Sequence, residues 1–257
     1  MKKKRKFLEK LNNRNEFKQY IKNNYGSFFF NYYKEVLDML KPQYLTRGLY
    51  LSCYLGYNGL LIADNPTRTI PLYEEDLQRI LGLSRTETFR TKKELIDCGF
   101  LTINEDKTMM VNSKYCIKGE LNKKSKTGKV RMFTDSIKEI YINSKPTEHK
   151  KLSLLFRLLP YVNLRWNVVC QNIEEEVREC IKPYTLKTLC EKLNQSHITK
   201  FKKDLTSITV GGKPVVIIST VMDKTKITIN PKVYYKGTAL DDLKYIEDDI
   251  TSTLNGV

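Results

Sequence analysis

The sequence predicts an α+β fold, mainly helical, built from two tandem copies of one unit behind an N-terminal helical extension. Three observations support this prediction. A length of 257 residues suits two small domains. The chain is 40% hydrophobic and 29% charged, which is typical of a sequence that folds. A motif also recurs at a spacing of 112 residues. Each copy is therefore expected to fold as one domain.

The N-terminal extension, residues 1–41, is strongly basic, with eleven Lys or Arg residues against four acidic ones. It ends in an aromatic run at 28–33, followed by Val36, Leu37 and Leu40. Their helical spacing predicts a helix over this stretch. We expect that helix to pack on the first copy or to mediate self-association.

The first copy, residues 42–117, is predicted to form three helices, a short strand and a β-hairpin. Gly82 and Ser84 form a tight turn, and the Ser84 hydroxyl is expected to cap the third helix by accepting from a first-turn amide. Gly99 supplies the left-handed residue after that helix. In order, the predicted elements are a helix over 44–57, a strand over 60–63, helices over 72–81 and 85–98, and a hairpin over 100–111.

The second copy, residues 150–237, repeats this order. Leu77, Leu81, Ser84 and Phe89 recur as Leu189, Leu193, Ser196 and Phe201, all at a spacing of 112 residues. Ser196 is the expected cap of the third helix. The aromatic side chains of Tyr54, Tyr57, Phe156 and Trp166 are expected in the two cores. The predicted elements are helices over 152–161, 185–193 and 196–207, a strand over 168–170, and a hairpin over 215–229.

Helix, strand, helix, tight turn, helix and hairpin is the order of a winged helix-turn-helix. The sequence therefore predicts two tandem winged helix-turn-helix domains. Between them lies a basic linker, residues 118–149, with a short helix over 134–143. After them comes an acidic tail, residues 238–257.

Three further segments carry a resemblance to a known family. The block 84–90 and the hairpin ends Asn112-x-Lys114 and Asn230-Pro-Lys-Val-Tyr-Tyr-Lys-Gly237 resemble the RepL-type replication initiators of Gram-positive plasmids and phages. The second copy keeps the Asn-Pro-x-x-aromatic-x-x-Gly pattern, whereas Ser113, Cys116 and Ile117 depart from it in the first. The resemblance implies a winged helix and a role in replication initiation.

A formal net charge of +16 favours polyanionic partners, either nucleic acid or an anionic membrane surface. The membrane is the weaker candidate, because no exposed apolar face is predicted to accompany the charge. A helix-turn-helix places its second helix in the major groove, where arginine can donate twice to guanine. We therefore expect DNA contacts from the third helix of each copy, from the hairpins and from the linker. The candidate residues are Ser84, Arg85, Thr86, Glu87, Phe89, Arg90 and Lys93 in copy one; Ser196, His197, Thr199, Lys200, Lys202 and Lys203 in copy two; Lys107, Lys224 and Lys226 in the hairpins; and Lys123, Lys124 and Lys126 in the linker.

Several alternatives remain open at this point. The lysines of copy two suit phosphates better than bases, and that copy is alternatively a protein-binding module. The linker is alternatively a solvated loop without contacts. The acidic tail is expected to form a final helix on copy two; the alternatives are that it docks on a basic face and lowers DNA affinity, or that it recruits another protein.

The sequence contains no phosphate loop, nucleophile elbow or H-E-x-x-H motif, so we expect no enzyme activity. Six cysteines without a C-x-x-C pair and only two histidines predict reduced thiols, no metal site and no cofactor. The longest uncharged stretch, 48–63, is too short and polar for a membrane span, and we expect a cytoplasmic protein. The sequence thus predicts a sequence-specific DNA-binding protein, first a plasmid or phage replication initiator with replication proteins as partners. The alternatives are a transcriptional regulator of a mobile element, with transcription proteins as partners, and a winged-helix protein-interaction module.

Overall fold

Helices and small antiparallel sheets make up an α+β fold in the computed structural model of the chain. It describes residues 2–37, 39–65, 67–119, 128–221 and 224–256, and for residues 2–10, 221 and 224 the backbone alone. In chain order the elements are α1 (Lys2–Tyr25), β1 (Phe28–Tyr32), α2 (Tyr33–Val36), α3 (Pro42–Leu51), α4 (Leu77–Leu81), α5 (Arg85–Asp97), β2 (Leu101–Ile103), β3 (Met109–Val111), β4 (Cys116–Ile117), β5 (Lys129–Phe133), α6 (Thr134–Ile142), α7 (His149–Arg157), α8 (Leu186–Lys192), α9 (Ile198–Thr206), β6 (Thr209–Val210), β7 (Lys213–Pro214), β8 (Val216–Val221), β9 (Lys224–Ile229), β10 (Tyr234–Tyr235) and α10 (Leu240–Asn255).

The chain divides into two compact units, which we describe separately. The central unit comprises Phe28–Pro160, and the terminal unit comprises Met1–Ser27 together with Tyr161–Val257. The helix α7, which the sequence assigns to copy two, lies in the central unit, where it packs on α3. The basic helix α1 lies in the terminal unit.

The aromatic run at residues 28–32 forms the strand β1, so the predicted helix there is wrong. β1 pairs antiparallel with β5, with Phe28 opposite Phe133, and with β4, with Phe30 opposite Ile117. Phe29, Phe30 and Asn31 are all buried, because both faces of this strand are covered. Lys129 and Arg131, predicted to belong to a loose linker, are part of β5.

The two copies repeat the same pattern of backbone pairing. After the first helix of each copy the chain folds back, with Leu55 bridged to Leu61 in copy one and Val162 to Val169 in copy two. The same returning segment then joins the hairpin, through Leu60 with Met110 and through Val168 with Thr228. The duplication inferred from side chains is therefore also present in the hydrogen bonds of the backbone.

Both copies place a left-handed residue at the same two points of the fold. Gly59 and Gly82 have φ angles of 86° and 60° in copy one, and Asn167 and Asn194 have 52° and 53° in copy two. Glycine reaches this region without a steric penalty, and asparagine is among the few other residues that visit it routinely. A Gly in one copy thus matches an Asn in the other because the backbone imposes the same demand.

The helix and hairpin predictions hold for most elements, with shifted ends. The helix predicted over 72–81 starts later than predicted, with a 3-10 turn at Glu74–Asp76. The reason is that Tyr73 is extended and forms a β-bridge with Thr108. Both hairpins, β2–β3 and β8–β9, and the helix α6 are confirmed. Of the predicted core aromatics, Phe156 is buried and Tyr54 and Trp166 are half-buried, whereas Tyr57 is 80% exposed and was assigned wrongly.

The Asn-x-Lys ends of both hairpins are turns closed by the asparagine side chain. Asn112 Oδ1 accepts from the Lys114 amide, and Asn230 Oδ1 accepts from the Lys232 amide, both at 3.0 Å. Each asparagine amide also donates to the backbone where its hairpin begins, to Gly99 in copy one and Pro214 in copy two. These residues, which carry much of the sequence resemblance, thus have a structural role in each copy.

The acidic tail forms the long helix α10, confirming the expected final helix. Its apolar residues Leu243, Ile246 and Ile250 are buried in the terminal unit. The hydroxyls of Tyr20 and Tyr25 on α1 both donate to the carboxylate of Glu247. The N-terminal and C-terminal helices are therefore tied to each other within one unit.

Candidate nucleic-acid interface

The turn between α4 and α5 presents α5 at the surface of the central unit. Gly82 ends α4 in the left-handed conformation. Ser84 Oγ then accepts from the Glu87 amide at 3.3 Å, so the predicted cap of α5 is confirmed. Because these two residues fix where α5 begins, they also fix which of its side chains face solvent.

One face of α5 is open to solvent over its whole length. Thr91 and Leu95 are buried against the rest of the unit. Arg85, Thr86, Phe89, Arg90 and Lys93 are exposed on the opposite side, where the i, i+3 and i+4 spacing of a helix brings them together. We call these five residues the α5 face.

Glu87 is already occupied by two arginines. Its Oε1 accepts from Arg90 at 3.0 Å and its Oε2 from Arg47 at 3.1 Å. The hydrogen bonds from Arg90 and then from Arg47 lower the pKa of this carboxyl, so it is ionised at neutral pH. Both oxygens are engaged within the unit, and Glu87 orients Arg90.

Arg47, which the sequence reasoning missed, is a buried cation beneath α5. Its side chain is 3% exposed, and it donates to Glu87, to Thr91 Oγ1 at 2.8 Å and to Nδ1 of His149 at 3.2 Å. Burial, and then the charge of Arg47, lowers the pKa of His149 to about 4. The neutral imidazole therefore accepts from the guanidinium. No sequence signal marks Arg47, because it lies among apolar residues of α3.

The hairpin of copy one meets the start of α4 through charged side chains. Lys107, at the hairpin turn, has a left-handed φ of 69°, and its Nζ lies 4.0 Å from Glu74. Lys92 of α5 donates to the same carboxylate at 2.6 Å. The Lys107 side chain is mostly exposed.

In copy two, α9 begins one residue later than predicted. The predicted cap is Ser196, but the cap is the next residue, His197, whose side chain makes no capping bond, so the capping role assigned to Ser196 is wrong. Ser196, His197, Thr199, Lys200, Lys202 and Lys203 are all exposed, as the sequence predicts. Within the described part of the chain, the three lysines form no ion pair. We call these six residues the α9 face.

The later start of α9 changes which residues of the two helices correspond. Phe201 is 1% exposed, whereas its sequence match Phe89 is 60% exposed. A spacing of 113 residues instead matches Phe201 with half-buried Thr88, and buried Leu95 with buried Ile208. The proposed equivalence of Phe89 and Phe201 is therefore wrong. Counted from the helix caps Ser84 and His197, the position of Phe89 is occupied in α9 by the exposed Lys202.

The hairpin lysine Lys226 is engaged by the acidic helix α10. Its Nζ donates to Asp249 at 2.6 Å, and Arg178 donates to the other oxygen of Asp249 at 3.0 Å. Of Lys224 the structure describes the backbone in β9 alone, and the linker candidates Lys123, Lys124 and Lys126 lie outside the described residues. Lys226 is thus held by an acidic side chain of the same unit.

The described residues were also compared with the requirements of a metal site and of a membrane span. No three His, Cys, Asp or Glu side chains gather there in a way that would hold a metal ion. None of the helices described combines the length and apolar character that crossing a bilayer requires. Comparison of the chain with models of protein families, with curated proteins and with solved structures finds no match in any of the three.

Proposed function

We propose that the protein binds double-stranded DNA sequence-specifically through two winged helices, with α5 and α9 as the helices that enter the major groove. The main observation behind this proposal is the same in both copies: an exposed helix with basic side chains directly follows a tight left-handed turn and precedes a hairpin. This order and exposure suit a helix-turn-helix with a wing, whose second helix reads DNA.

The position of the exposed side chains supports major-groove binding by α5. Residues near the N-terminus of such a helix reach the base edges. Arg85, Thr86 and Arg90 lie within the first two turns of α5 and are exposed. An arginine can donate to both acceptors of guanine at once, which gives Arg85 and Arg90 a role in sequence recognition.

The α9 face has a different chemistry. It carries Lys200, Lys202 and Lys203 but no arginine. Lysine is a point charge that suits phosphate oxygens. Under this proposal α5 supplies most of the sequence recognition and α9 supplies affinity, so the DNA site is asymmetric.

The biological role that we propose is replication initiation on a plasmid or phage, on the strength of the resemblance of the hairpin ends. Regulation of transcription on a mobile element is the alternative, because the same fold and charge serve it. Binding sites that fall in a repeat-rich origin would support initiation, and sites that overlap a promoter would support regulation.

The test is binding of labelled duplexes tiled across the DNA around the gene, against random duplexes, at two salt concentrations. We expect one segment to bind tightly and to retain its advantage at the higher salt, because only base contacts discriminate between sequences. Equal, weak binding to all duplexes that collapses with salt would contradict sequence recognition. No binding at all would favour a protein-interaction module.

Two variants make this test specific to α5. Arg85→Ala with Arg90→Ala is expected to lose the preference for the selected segment by at least tenfold, since each good arginine–guanine contact is worth ~1–3 kcal/mol. Arg68→Ala and Lys150→Ala, which remove exposed cations outside α5 and α9, serve as the matched control. Equal losses in both double variants would mean that charge alone carries the binding.

A further inference from the structure

Phe89 is an apolar side chain in the middle of a basic, solvent-exposed face. Phe89 is 60% exposed. The buried side of α5 is formed by Thr91 and Leu95, and Phe89 does not belong to it. Nothing in the core of the central unit therefore explains a phenylalanine at this position. The corresponding residue of α9 is the exposed Lys202, so the position faces solvent in both copies.

Four basic side chains surround the ring, and three of them pair with a carboxylate: Arg90 with Glu87, Lys92 with Glu74 and Lys93 with Asp97. Arg85 lies one turn before Phe89, Arg90 follows it, and Lys93 lies one turn after it. Lys92 Nζ is 5.7 Å from the ring centroid, which is a favourable cation–π distance. The same ammonium group donates a hydrogen bond to Glu74. A surface that joins one apolar ring to several cations fits a partner that combines an apolar group with negative charge.

In the major groove of DNA, thymine presents such an apolar group. Its C5 methyl projects into the groove, and phosphates line both edges. We propose that Phe89 contacts the C5 methyl of a thymine, so that the site read by α5 contains an essential thymine near a guanine bound by Arg85. This inference rests on the proposed function and specifies its target.

The helix geometry limits where that thymine lies. Phe89 is four residues after Arg85, which is about 6 Å along the helix axis. Neighbouring base pairs are about 3.4 Å apart along DNA. The thymine is therefore expected about one or two base pairs from the guanine that Arg85 contacts.

The experiment replaces each thymine of the selected duplex in turn by deoxyuridine, which removes the methyl group and keeps the base pairing. Wild-type protein is expected to lose about fourfold in affinity at one position, the ratio for burying one methyl-sized group. Phe89→Ala is expected to bind the thymine duplex as weakly as the wild-type protein binds the deoxyuridine duplex. This variant should therefore have the same affinity for the thymine duplex and for the deoxyuridine duplex. Phe89→Leu, which keeps an apolar side chain, should retain part of the preference.

Ile142→Ala is the matched control, because Ile142 is an exposed apolar residue of another helix, α6, and 67% of it is accessible. It is expected to keep the full preference for thymine. Circular dichroism and thermal unfolding of the three variants check that each remains folded.

The outcomes separate this inference from the proposed function. Sequence-specific binding that is unaffected by deoxyuridine at every position would overturn the role of Phe89 and leave DNA recognition standing. Loss of self-association in Phe89→Ala, measured by sedimentation, with unchanged DNA affinity would identify a protein contact instead. Absence of sequence-specific binding in the wild type would overturn both.

Discussion

The Nη1 atom of Arg47 lies 3.1 Å from Oε2 of Glu87, which joins a guanidinium buried in α3 to a carboxylate on the exposed helix α5. The other oxygen of Glu87 accepts from Arg90. A single carboxylate thus links the interior of the central unit to a side chain proposed to read DNA.

Glu87→Gln is expected to lower the free energy of unfolding by about 1–3 kcal/mol at pH 7, because Arg47 stays buried and charged while its anionic partner is lost. The pKa of Glu87 is lower in the native state than in the unfolded chain, where it is about 4.3. The ionised carboxylate therefore stabilises the fold fully above this unfolded pKa, and the stabilisation is lost as the pH falls through the lower native pKa. Urea unfolding over a series of decreasing pH should show the difference between the two proteins shrinking in acid. Glu35→Gln, which breaks the exposed pair with Lys114, is the control, and an equal loss there would contradict the prediction.

His149 is expected to make the protein less stable in mild acid. Its native pKa is about 4 and its unfolded value about 6.5, so only the unfolded chain takes up a proton between these values. Stability from this residue is full above pH 6.5 and falls until pH 4, by about 1–2 kcal/mol between pH 7 and pH 5. His149→Gln should flatten this part of the urea-unfolding profile. A wild-type stability that stays level between pH 7 and pH 5, or an equally steep decline in His149→Gln, would contradict this prediction.

Asp249→Asn is expected to raise affinity for random DNA, because it releases Lys226 and Arg178 for phosphates. The dependence of binding on salt should steepen by about one to two released counterions. Asp248→Asn removes the same charge from an exposed neighbour on α10 and is the matched control. If both variants gave the same increase, net charge rather than the release of these two cations would explain the effect. Filter binding over a salt series measures both slopes.

Asn230→Ala is expected to destabilise the protein by about 1–2 kcal/mol, since it removes the bonds to the Lys232 amide and the Pro214 carbonyl from a buried turn. Asn112→Ala removes the equivalent bonds at an exposed turn and should cost less. Thermal unfolding of the two variants gives the comparison. A loss of DNA sequence preference at unchanged stability would instead assign these asparagines to recognition.

The features predicted correctly from the sequence are local. Ser84 caps α5 and Gly99 follows it in the left-handed conformation, because both roles depend on a few neighbouring residues. The hairpins were readable for the same reason. The strand β1 was not, since its partner β5 lies about 100 residues away and its continuous burial has neither a helical nor an alternating period.

The candidate contacts show the same division. Arg85, Arg90 and the α9 lysines were found from the position of the helices, and they are exposed. Phe201 was misassigned because one extra residue before α9 shifts every later side chain by about 100° around the helix axis. The ion pair between Lys226 and Asp249 could not be predicted from the sequence, because it depends on how α10 packs.

The pairing of β1 with both β4 and β5 fixes the two ends of residues 118–128. Two strands that flank a third are about 10 Å apart, so the chain leaves and re-enters the same small sheet. The entropic cost of connecting two fixed points grows slowly with the length of a flexible connection, by about 0.6 kcal/mol for each doubling. This interval is therefore a suitable place to insert a fluorescent reporter, because a longer connection there leaves the strands that anchor it almost as stable as before.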